Sequence, residues 1–280
     1  MQCKNPYFEP RFGILCPCRQ CLPCRINRRK EWTVRAILEA SSYENISFLT
    51  LTYDDEHLPL NGSLVSSDLT KFWKRLRKFG LKFRYFACGE YGEKSYRPHY
   101  HAIIYGVDSV TLQYFASECW KFGFIYSVPA TVETIKYVAG YVTKKLAVRK
   151  DMQEMGMTSE FVRSSRGLGR ESLEKLSAVV FVQGSHDVVN RIKIGGQDFV
   201  IPRYLKEKLR EKHLSNLHRS NLKEARIELM QEDIINLCWK WFKNRDYDKS
   251  LAVRSHLLEN EQHFRNIYSK DKIWNLRSKV

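Results

Sequence analysis

The spacing of apolar and polar residues predicts alternating strands and helices between residues 46 and 148. In Ile46–Tyr53, apolar and hydroxyl side chains alternate, which is typical of a half-buried strand because successive side chains point to opposite faces. Elsewhere apolar residues recur at helical spacing, and Ser67 with Asp68, or Ser109, are suited to cap a helix. The predicted elements are a helix through about residue 41, a strand at 46–53, a helix to about 79, a strand at 82–88, a turn at 89–94, a strand at 98–105, a helix at 109–121, a strand at 122–127 and a helix at 131–148.

From residue 46 these elements run β-α-β-β-α-β, and one more helix follows. This order is typical of a split βαβ, ferredoxin-like antiparallel sheet, with helices on one face and the other face open. We therefore expect an α+β core at residues 45–150, preceded at residues 1–44 by a cysteine-rich, basic arm and helix.

Residues 151–280 differ from the core in composition and in the pattern of apolar residues. Residues 152–169 are polar and contain glycine, which predicts a loop. Residues 178–183 and the Gly195-Gly196 pair indicate some β-structure. From Arg203 onward the chain is charged, with apolar residues at helical spacing, so we expect a mixed and then helical appendage that packs against the core.

The formal net charge of +16 over 280 residues indicates a polyanionic partner. Nucleic acid is the first choice, because no apolar stretch approaches the ~20 residues of a membrane span. The first ten residues also lack the apolar segment of a secretory signal, which favours the cytoplasm. The eight cysteines are then expected to be reduced thiols, metal ligands or core residues rather than disulfides.

A cysteine cluster lies within the first 24 residues. Cys16, Cys18, Cys21 and Cys24 have the close pairing of a structural zinc site, although the usual second pair a dozen or more residues away is missing. Either Cys3 or one of these four supplies the fourth Zn²⁺ ligand. The alternative is a set of reduced, exposed thiols in an ordered arm.

Basic residues follow this cluster at the start of the first long helix. Arg25, Arg28 and Arg29 oppose the helix dipole there, so contact with DNA phosphates is a reasonable purpose for them. Together with Lys145 they are the candidate DNA-binding residues.

The run Pro98-His99-Tyr100-His101 is the centre of the chemistry that the sequence suggests. On a strand, His99 and His101 emerge on one face and Tyr100 on the other, so the two imidazoles are placed to share a metal ion. The alternative is a pair of partly buried, hydrogen-bonded histidines without a ligand.

A second group of candidate residues lies in the helix after Pro129. Tyr137 and Tyr141 are four residues apart and share one helix face, with Lys144 one turn further along. Ordinary aromatic packing is one explanation. Gly140 argues against it, because glycine weakens a helix by about 1 kcal/mol relative to alanine, whereas close approach of a DNA backbone would require a small residue.

Read together, the two groups suggest phosphoryl transfer. A phenolate is a competent nucleophile toward phosphorus, but with a pKa near 10 it needs a nearby positive charge or a base. The phosphate needs a divalent cation, and two histidines with a carboxylate suit Mg²⁺ or Mn²⁺. Glu90 stands nine residues before His99 and is a suitable carboxylate, with Glu93 as the competing choice.

At this point the chain resembles the HUH endonucleases, and among them the rolling-circle replication initiators. Pro98–His101 resembles their His-hydrophobe-His motif. Tyr141-Val-Thr-Lys144 resembles their Tyr-x2-Lys motif, and Tyr137 gives the two-tyrosine form.

Two further segments extend this resemblance. Glu90 falls where such initiators have a third metal ligand, and Phe48–Tyr53 resembles their first, strand-borne motif. The run Cys88–His101 and the cysteine-rich arm are most similar to replication initiators of microviruses, the small single-stranded DNA phages that include the gokushoviruses. The resemblance covers residues 1–150 well and residues 151–280 loosely.

This resemblance implies a mechanism and a set of partners. Tyr141 attacks a phosphate of origin DNA held by the metal of His99, His101 and Glu90, leaving a 5′-phosphotyrosine and a 3′-hydroxyl. A host DNA polymerase extends that hydroxyl in the bacterial cytoplasm, with a host helicase opening the duplex. Tyr137 then cleaves the regenerated origin, and the released 3′-hydroxyl closes a circle without ATP.

Two alternatives stay open at the level of sequence. One is another HUH enzyme, either a transposase or a plasmid relaxase. The other is a zinc-containing, DNA-binding regulator that is not an enzyme and in which the histidines are core residues.

Overall fold

The computed structural model describes residues 2–92, 95–145, 154, 156–180, 188–194, 196–243, 248–259 and 267. Several sequence predictions fall outside this part of the chain: Glu93 as a metal ligand, the end of the 131–148 helix, residues 181–183 of the β-structure expected at 178–183, and Gly195 of the hairpin. The rest of that expected β-structure was wrong, because residues 178–180 end the helix Leu173–Val180.

The described residues form an α+β fold, as predicted. The strands are β1 (Tyr7–Glu9), β2 (Ile14–Cys16), β3 (Ile46–Tyr53), β4 (Arg84–Tyr91), β5 (Pro98–Tyr105), β6 (Gly123–Pro129), β7 (Phe161–Ser164), β8 (Arg191–Ile194) and β9 (Gln197–Val200). The α-helices are α1 (Leu22–Ala40), α2 (Ser66–Lys78), α3 (Ser109–Cys119), α4 (Val132–Lys145), α5 (Leu173–Val180), α6 (Arg203–His213), α7 (Asn216–Phe242) and α8 (Lys249–Glu259). Short 3₁₀ turns lie at Leu60–Gly62 and Arg170–Ser172.

The central sheet has five strands in the order β6-β3-β5-β4-β7, and every neighbouring pair is antiparallel. Two-stranded sheets β1-β2 and β8-β9 complete the strand pairing. The histidine-bearing strand β5 therefore lies in the middle of the central sheet.

The predicted turn at residues 89–94 was wrong at its start, because β4 continues to Tyr91. Gly89 looks like a strand breaker in sequence, yet here it makes room for a neighbour. A Cβ at this position would lie 2.9 Å from the ring of Phe161 and 3.1 Å from the side chain of Leu64. Glycine in a strand often marks such a close approach.

The predicted loop at residues 152–169 was also wrong in part, because Phe161–Ser164 forms the edge strand β7 against β4. A strand of four residues is too short to give a reliable alternation pattern.

Two predicted helix caps also differ. Asp108, rather than Ser109, caps α3 by accepting hydrogen bonds from the N–H groups of Val110 and Thr111. Helix α2 begins at Ser66, and the carboxylate of Asp68 instead accepts a 3.0 Å hydrogen bond from the hydroxyl of Tyr53.

Both faces of the central sheet carry helices, so the expectation of one wholly open face was wrong. On one face, α2 and α3 bury a core against the sheet that includes Phe72, Leu112 and Tyr100. On the other face, Ile135 and Val138 of α4, together with residues of α1, pack on the β4 and β5 part of the sheet. Apolar helix faces of this kind must be covered by another layer to be stable.

The chain divides into two compact units, residues 28–206 and residues 1–27 with 207–280. In the second of these, the β1-β2 hairpin packs on α7 and α8. Phe8 and Leu15 contact a small core of Ile234, Cys238 and Ala252. Among the described helices, none is both long and apolar enough to span a membrane.

Candidate active site

The two histidines of β5 lie side by side between polar residues of the neighbouring strands. The antiparallel register places His99 between Thr52 of β3 and Glu90 of β4. His101 lies opposite Thr50 on the same face, since the side chains of residues two apart point the same way.

Each histidine is oriented by a threonine. Oγ1 of Thr50 lies 2.9 Å from Nδ1 of His101, and Oγ1 of Thr52 lies 3.0 Å from Nδ1 of His99. With Nδ1 engaged in this way, Nε2 is the nitrogen of each ring that is placed to bind a metal ion. Nε2 of His101 lies 2.7 Å from Oε1 of Glu90.

These residues have the donor chemistry of a divalent cation site. Two imidazole nitrogens and a carboxylate suit Mn²⁺ or Mg²⁺. Gly92 also leaves space beside the imidazole of His99, because a Cβ at position 92 would lie 3.1 Å from Nε2 of that ring. The three candidate ligands do not form a compact group in this structure, since the two imidazole centroids are 6.4 Å apart and Glu90 contacts His101 directly.

Helix α4 brings both predicted tyrosines to this carboxylate. The hydroxyl of Tyr137 donates a 3.1 Å hydrogen bond to Oε1 of Glu90, and the hydroxyl of Tyr141 donates a 2.7 Å hydrogen bond to that of Tyr137. The ring of Tyr137 lies 5.3 Å from that of His101. The helical spacing therefore places the two hydroxyls together. The side chains of Lys144 and Lys145 lie outside the described part of the chain.

Burial sets the protonation of these groups. It raises the pKa of Tyr137 and of Tyr141, and the negative charge of Glu90 raises both further. Both phenols are therefore protonated and act as hydrogen-bond donors. Burial lowers the pKa of His99, and neighbouring His101 lowers it further, which favours the neutral imidazole that ligates metals.

The middle residue of the motif anchors the strand from the opposite face. Tyr100 is buried, and its hydroxyl lies 2.9 Å from that of Tyr53 and accepts a 2.9 Å hydrogen bond from the N–H of Val65. Burial raises the pKa of Tyr100 to about 12. This tyrosine is a structural residue of the strand that carries the ligands.

Sequence reasoning missed the role of Thr50 and Thr52. A usable signal was present, because the two hydroxyls have the same two-residue spacing as His99 and His101 and lie in an adjacent strand. Only the register of β3 against β5 shows that each threonine faces one histidine.

The predicted cysteine cluster forms, with one change of member. Sulfur atoms of Cys3, Cys18, Cys21 and Cys24 all lie within 4.8 Å of one another, and Cys16 in β2 does not belong to this group. Within the described part of the chain, this is the one group of three or more such ligands that is so compact. Cys3 was one of the choices for the fourth ligand, and it takes the place of Cys16 in the cluster.

Backbone N–H groups point at these sulfurs. The N–H of Cys18 donates to Sγ of Cys3 at 3.2 Å, and the N–H of Cys21 donates to Sγ of Cys18 at 3.3 Å. Burial raises the pKa of Cys18, but backbone hydrogen bonds from Cys21 and Gln20 outweigh it and bring the value to about 6. A thiolate is the form that binds metal.

The three candidate DNA-binding arginines lie in the first turns of α1. Arg28 is exposed, whereas Arg25 and Arg29 are half-buried.

Comparison with known proteins points to phage DNA replication. The family model described as replication-associated protein ORF2 matches residues 46–146, which include the histidine strand and both tyrosines. No solved structure matches the chain.

Three relatives carry related names. Replication-associated protein ORF2 of Spiroplasma virus 4 is 31% identical over 87% of this chain and 82% of its own length. Replication-associated protein VP4 of Bdellovibrio phage phiMH2K is 31% identical over 70% of this chain and 68% of its own. Replication-associated protein ORF4 of Chlamydia phage 1 is 32% identical over 72% of this chain and 55% of its own. The chain therefore belongs to the replication-associated proteins of microviruses.

Proposed function

We propose that this protein is a rolling-circle replication initiator, which nicks and rejoins single-stranded origin DNA through a 5′-phosphotyrosine. The observation that carries the proposal is the convergence on Glu90. Its carboxylate lies 2.7 Å from Nε2 of His101 and accepts a hydrogen bond from Tyr137, which in turn accepts one from Tyr141. Candidate metal ligands and candidate nucleophiles thus meet at one point.

The strand order also supports an HUH-type, ferredoxin-like core. Counted along the chain, the four strands of the predicted β-α-β-β-α-β unit lie in the order 4-1-3-2, with β7 added at the edge. This antiparallel arrangement, with two helices on one face, is that of a split βαβ sheet.

In the proposed reaction, the phenol oxygen of Tyr141 forms a bond to phosphorus as the bond from phosphorus to the 3′-oxygen breaks. The proton of Tyr141 passes along its hydrogen bond to the Tyr137 oxygen, while Tyr137 gives its own proton to Glu90. The departing 3′-oxygen takes a proton from solvent. His99, His101 and Glu90 are the residues that would hold a divalent cation, and such a cation would supply charge neutralisation at the phosphate.

The second tyrosine completes the cycle. Tyr137 cleaves the regenerated origin, and the released 3′-hydroxyl attacks the phosphotyrosine at Tyr141. Each transfer exchanges one phosphodiester bond for another, so joining needs no ATP. The partners are origin DNA of the phage replicative form, a host DNA polymerase and a host helicase, in the bacterial cytoplasm.

We also propose that Cys3, Cys18, Cys21 and Cys24 hold one structural Zn²⁺ ion. Four thiols within 4.8 Å of one another have the composition of a closed, tetrahedral zinc site. Backbone N–H groups directed at the sulfurs support thiolate ligands, as do the reducing conditions of a bacterial cytoplasm.

A nicking assay on single-stranded DNA with Mn²⁺ tests the proposal. We expect His99→Ala to lower the nicking rate at least about a hundredfold, since a catalytic metal contributes several kcal/mol. The matched control is His57→Ala, because this exposed histidine pairs with Asp54 away from the motif. Wild-type protein that never nicks would favour the non-enzymatic regulator, whereas an origin sequence or the neighbouring genes would separate a replication initiator from another HUH enzyme.

A further inference from the structure

Two aromatic side chains are exposed on the edge strand β6. Phe124 is 68% exposed and Tyr126 is 61% exposed, although they stand two residues apart in a regular strand. Their neighbour Ile125 points to the opposite face and packs against the core under α2 and α3. Contiguous exposed apolar side chains mark candidate binding surfaces, whereas single exposed ones are ordinary.

The register connects these rings to the candidate active site. Phe124 pairs with Thr52, which pairs with His99, and Tyr126 pairs with Thr50, which pairs with His101. Directly paired residues share a face, so both rings lie on the face that carries the histidines. Two strand spacings of about 4.8 Å put them about 10 Å from β5.

The described helices on this face leave the two rings exposed. Helix α4 packs on β4, β5 and β7, and Phe48 of β3 lies in the apolar region beneath it. In the part of the chain that the structure describes, this face is covered over β4, β5 and β7, whereas Phe124 and Tyr126 at the β6 edge are exposed.

We propose that Phe124 and Tyr126 form a stacking platform for bases of the single strand that enters the candidate active site. The proposal rests on the proposed function for the identity of the strand. A DNA partner is favoured by the net charge of +16. It is also favoured by the cross-strand pairing that places the two rings in line with His99 and His101. Aromatic rings bind bases of any sequence, because every base has a π-face.

The platform is tested by equilibrium binding of the full chain to a labelled oligothymidylate, in chelator so that nothing is cleaved. Each of Phe124→Ala and Tyr126→Ala is expected to weaken binding about fivefold to a hundredfold, the loss that corresponds to one stacked base. Phe124→Tyr and Tyr126→Phe keep a ring and should bind as the wild type does. Tyr114→Ala is the matched control, because Tyr114 is also 68% exposed but lies on α3, on the other face.

A second probe separates stacking from charge. On an oligomer of abasic deoxyribose phosphate of equal length, wild type and alanine variants should bind equally, since no base is left to stack. The ratio of wild-type to variant affinity for oligothymidylate should also stay constant as the salt concentration rises. Loss of a phosphate contact would instead make this ratio change with salt, because such contacts weaken steeply.

Three outcomes would overturn the platform. The first is that both alanine variants bind oligothymidylate as tightly as the wild type does. The second is that the alanine variants lose as much affinity for the abasic oligomer as for oligothymidylate. The third is that the wild type is a dimer, the alanine variants are monomers, and their DNA affinity is unchanged. The last result would assign β6 to contact between copies of the chain. These readouts do not depend on nicking, so a platform that binds bases in an inactive protein would contradict the proposed function alone.

Discussion

Oγ1 of Thr50 lies 2.9 Å from Nδ1 of His101, across the pairing of β3 and β5. The contact fixes the ring and leaves Nε2 toward Glu90. Thr50→Val keeps the shape and removes the hydroxyl, so we expect Mn²⁺ affinity or nicking to fall about 10- to 100-fold, as for other partners of metal ligands. The check is a Mn²⁺ titration of the nicking rate. Thr70→Val in α2 serves as control, and equal Mn²⁺ dependence in both variants would contradict this role.

The two tyrosines should be separable by their joining activity. Because both hydroxyls meet at Glu90, either Tyr137→Phe or Tyr141→Phe should still cleave a labelled oligonucleotide, whereas the double variant should be inactive. Circle formation needs one tyrosine to hold the strand while the other cuts, so both single variants should fail to form circles. Mapping the covalent adduct by peptide mass spectrometry is the measurement. An adduct on another residue, or circles from either single variant, would rule out the two-tyrosine mechanism.

The cysteine cluster makes a stoichiometric prediction. Protein purified in reducing buffer without chelator should carry about one zinc per chain by elemental analysis, and Cys3→Ser should lower that content. Cys16→Ser is the matched control, because Cys16 lies close in sequence but outside the cluster. Zinc lost equally from both variants, or absent from the wild type, would remove the assignment of these four ligands without affecting the nuclease.

DNA affinity should fall steeply with salt. Lys and Arg residues that neutralise several phosphates release counterions, which gives a negative slope of log affinity against log salt concentration. Arg28 is exposed in α1, so Arg28→Ala should make the slope less steep by about one unit, which corresponds to the loss of one phosphate contact. Exposed Lys121 pairs with Glu118, and Lys121→Ala is the control. A flat plot for the wild type would contradict phosphate-dominated binding.

A buried carboxylate should stabilise the larger unit. Glu39 of α1 is fully buried, forms an ion pair with Arg84 of β4 and accepts a 2.6 Å hydrogen bond from the N–H of Gly169. Glu39→Ala removes this partner from Arg84 and from that N–H. Because Arg84 is a quarter exposed and also lies near Glu171, the free energy of unfolding should fall by about 1–3 kcal/mol. Denaturant unfolding measures it, with exposed Glu44→Ala as control. A change below about 0.5 kcal/mol would show that the pair is dispensable.

The sequence predicted best what depends on local periodicity. The strand at Ile46–Tyr53 and the shared face of Tyr137 and Tyr141 follow from spacings of two and four residues, and both are found. What it missed depends on contacts distant in sequence. Gly89 reads as a turn until Phe161 is known to pack against it. Cys16 has the spacing of a zinc ligand, yet Cys3, 15 residues before Cys18, is the residue that joins the cluster in its place. The cover over the β4–β5 face was missed for the same reason.

Tyr100 has a consequence for the motions open to the candidate site. Its hydroxyl contacts Tyr53 and Val65 on one side of β5, while His101 and Ile103 face the other core. A central strand held in two cores cannot detach by itself, because its release would expose both apolar layers to water. Local unfolding of the histidine strand therefore costs about as much free energy as unfolding of the whole domain. The alignment of His99 and His101 should persist as long as that domain is folded.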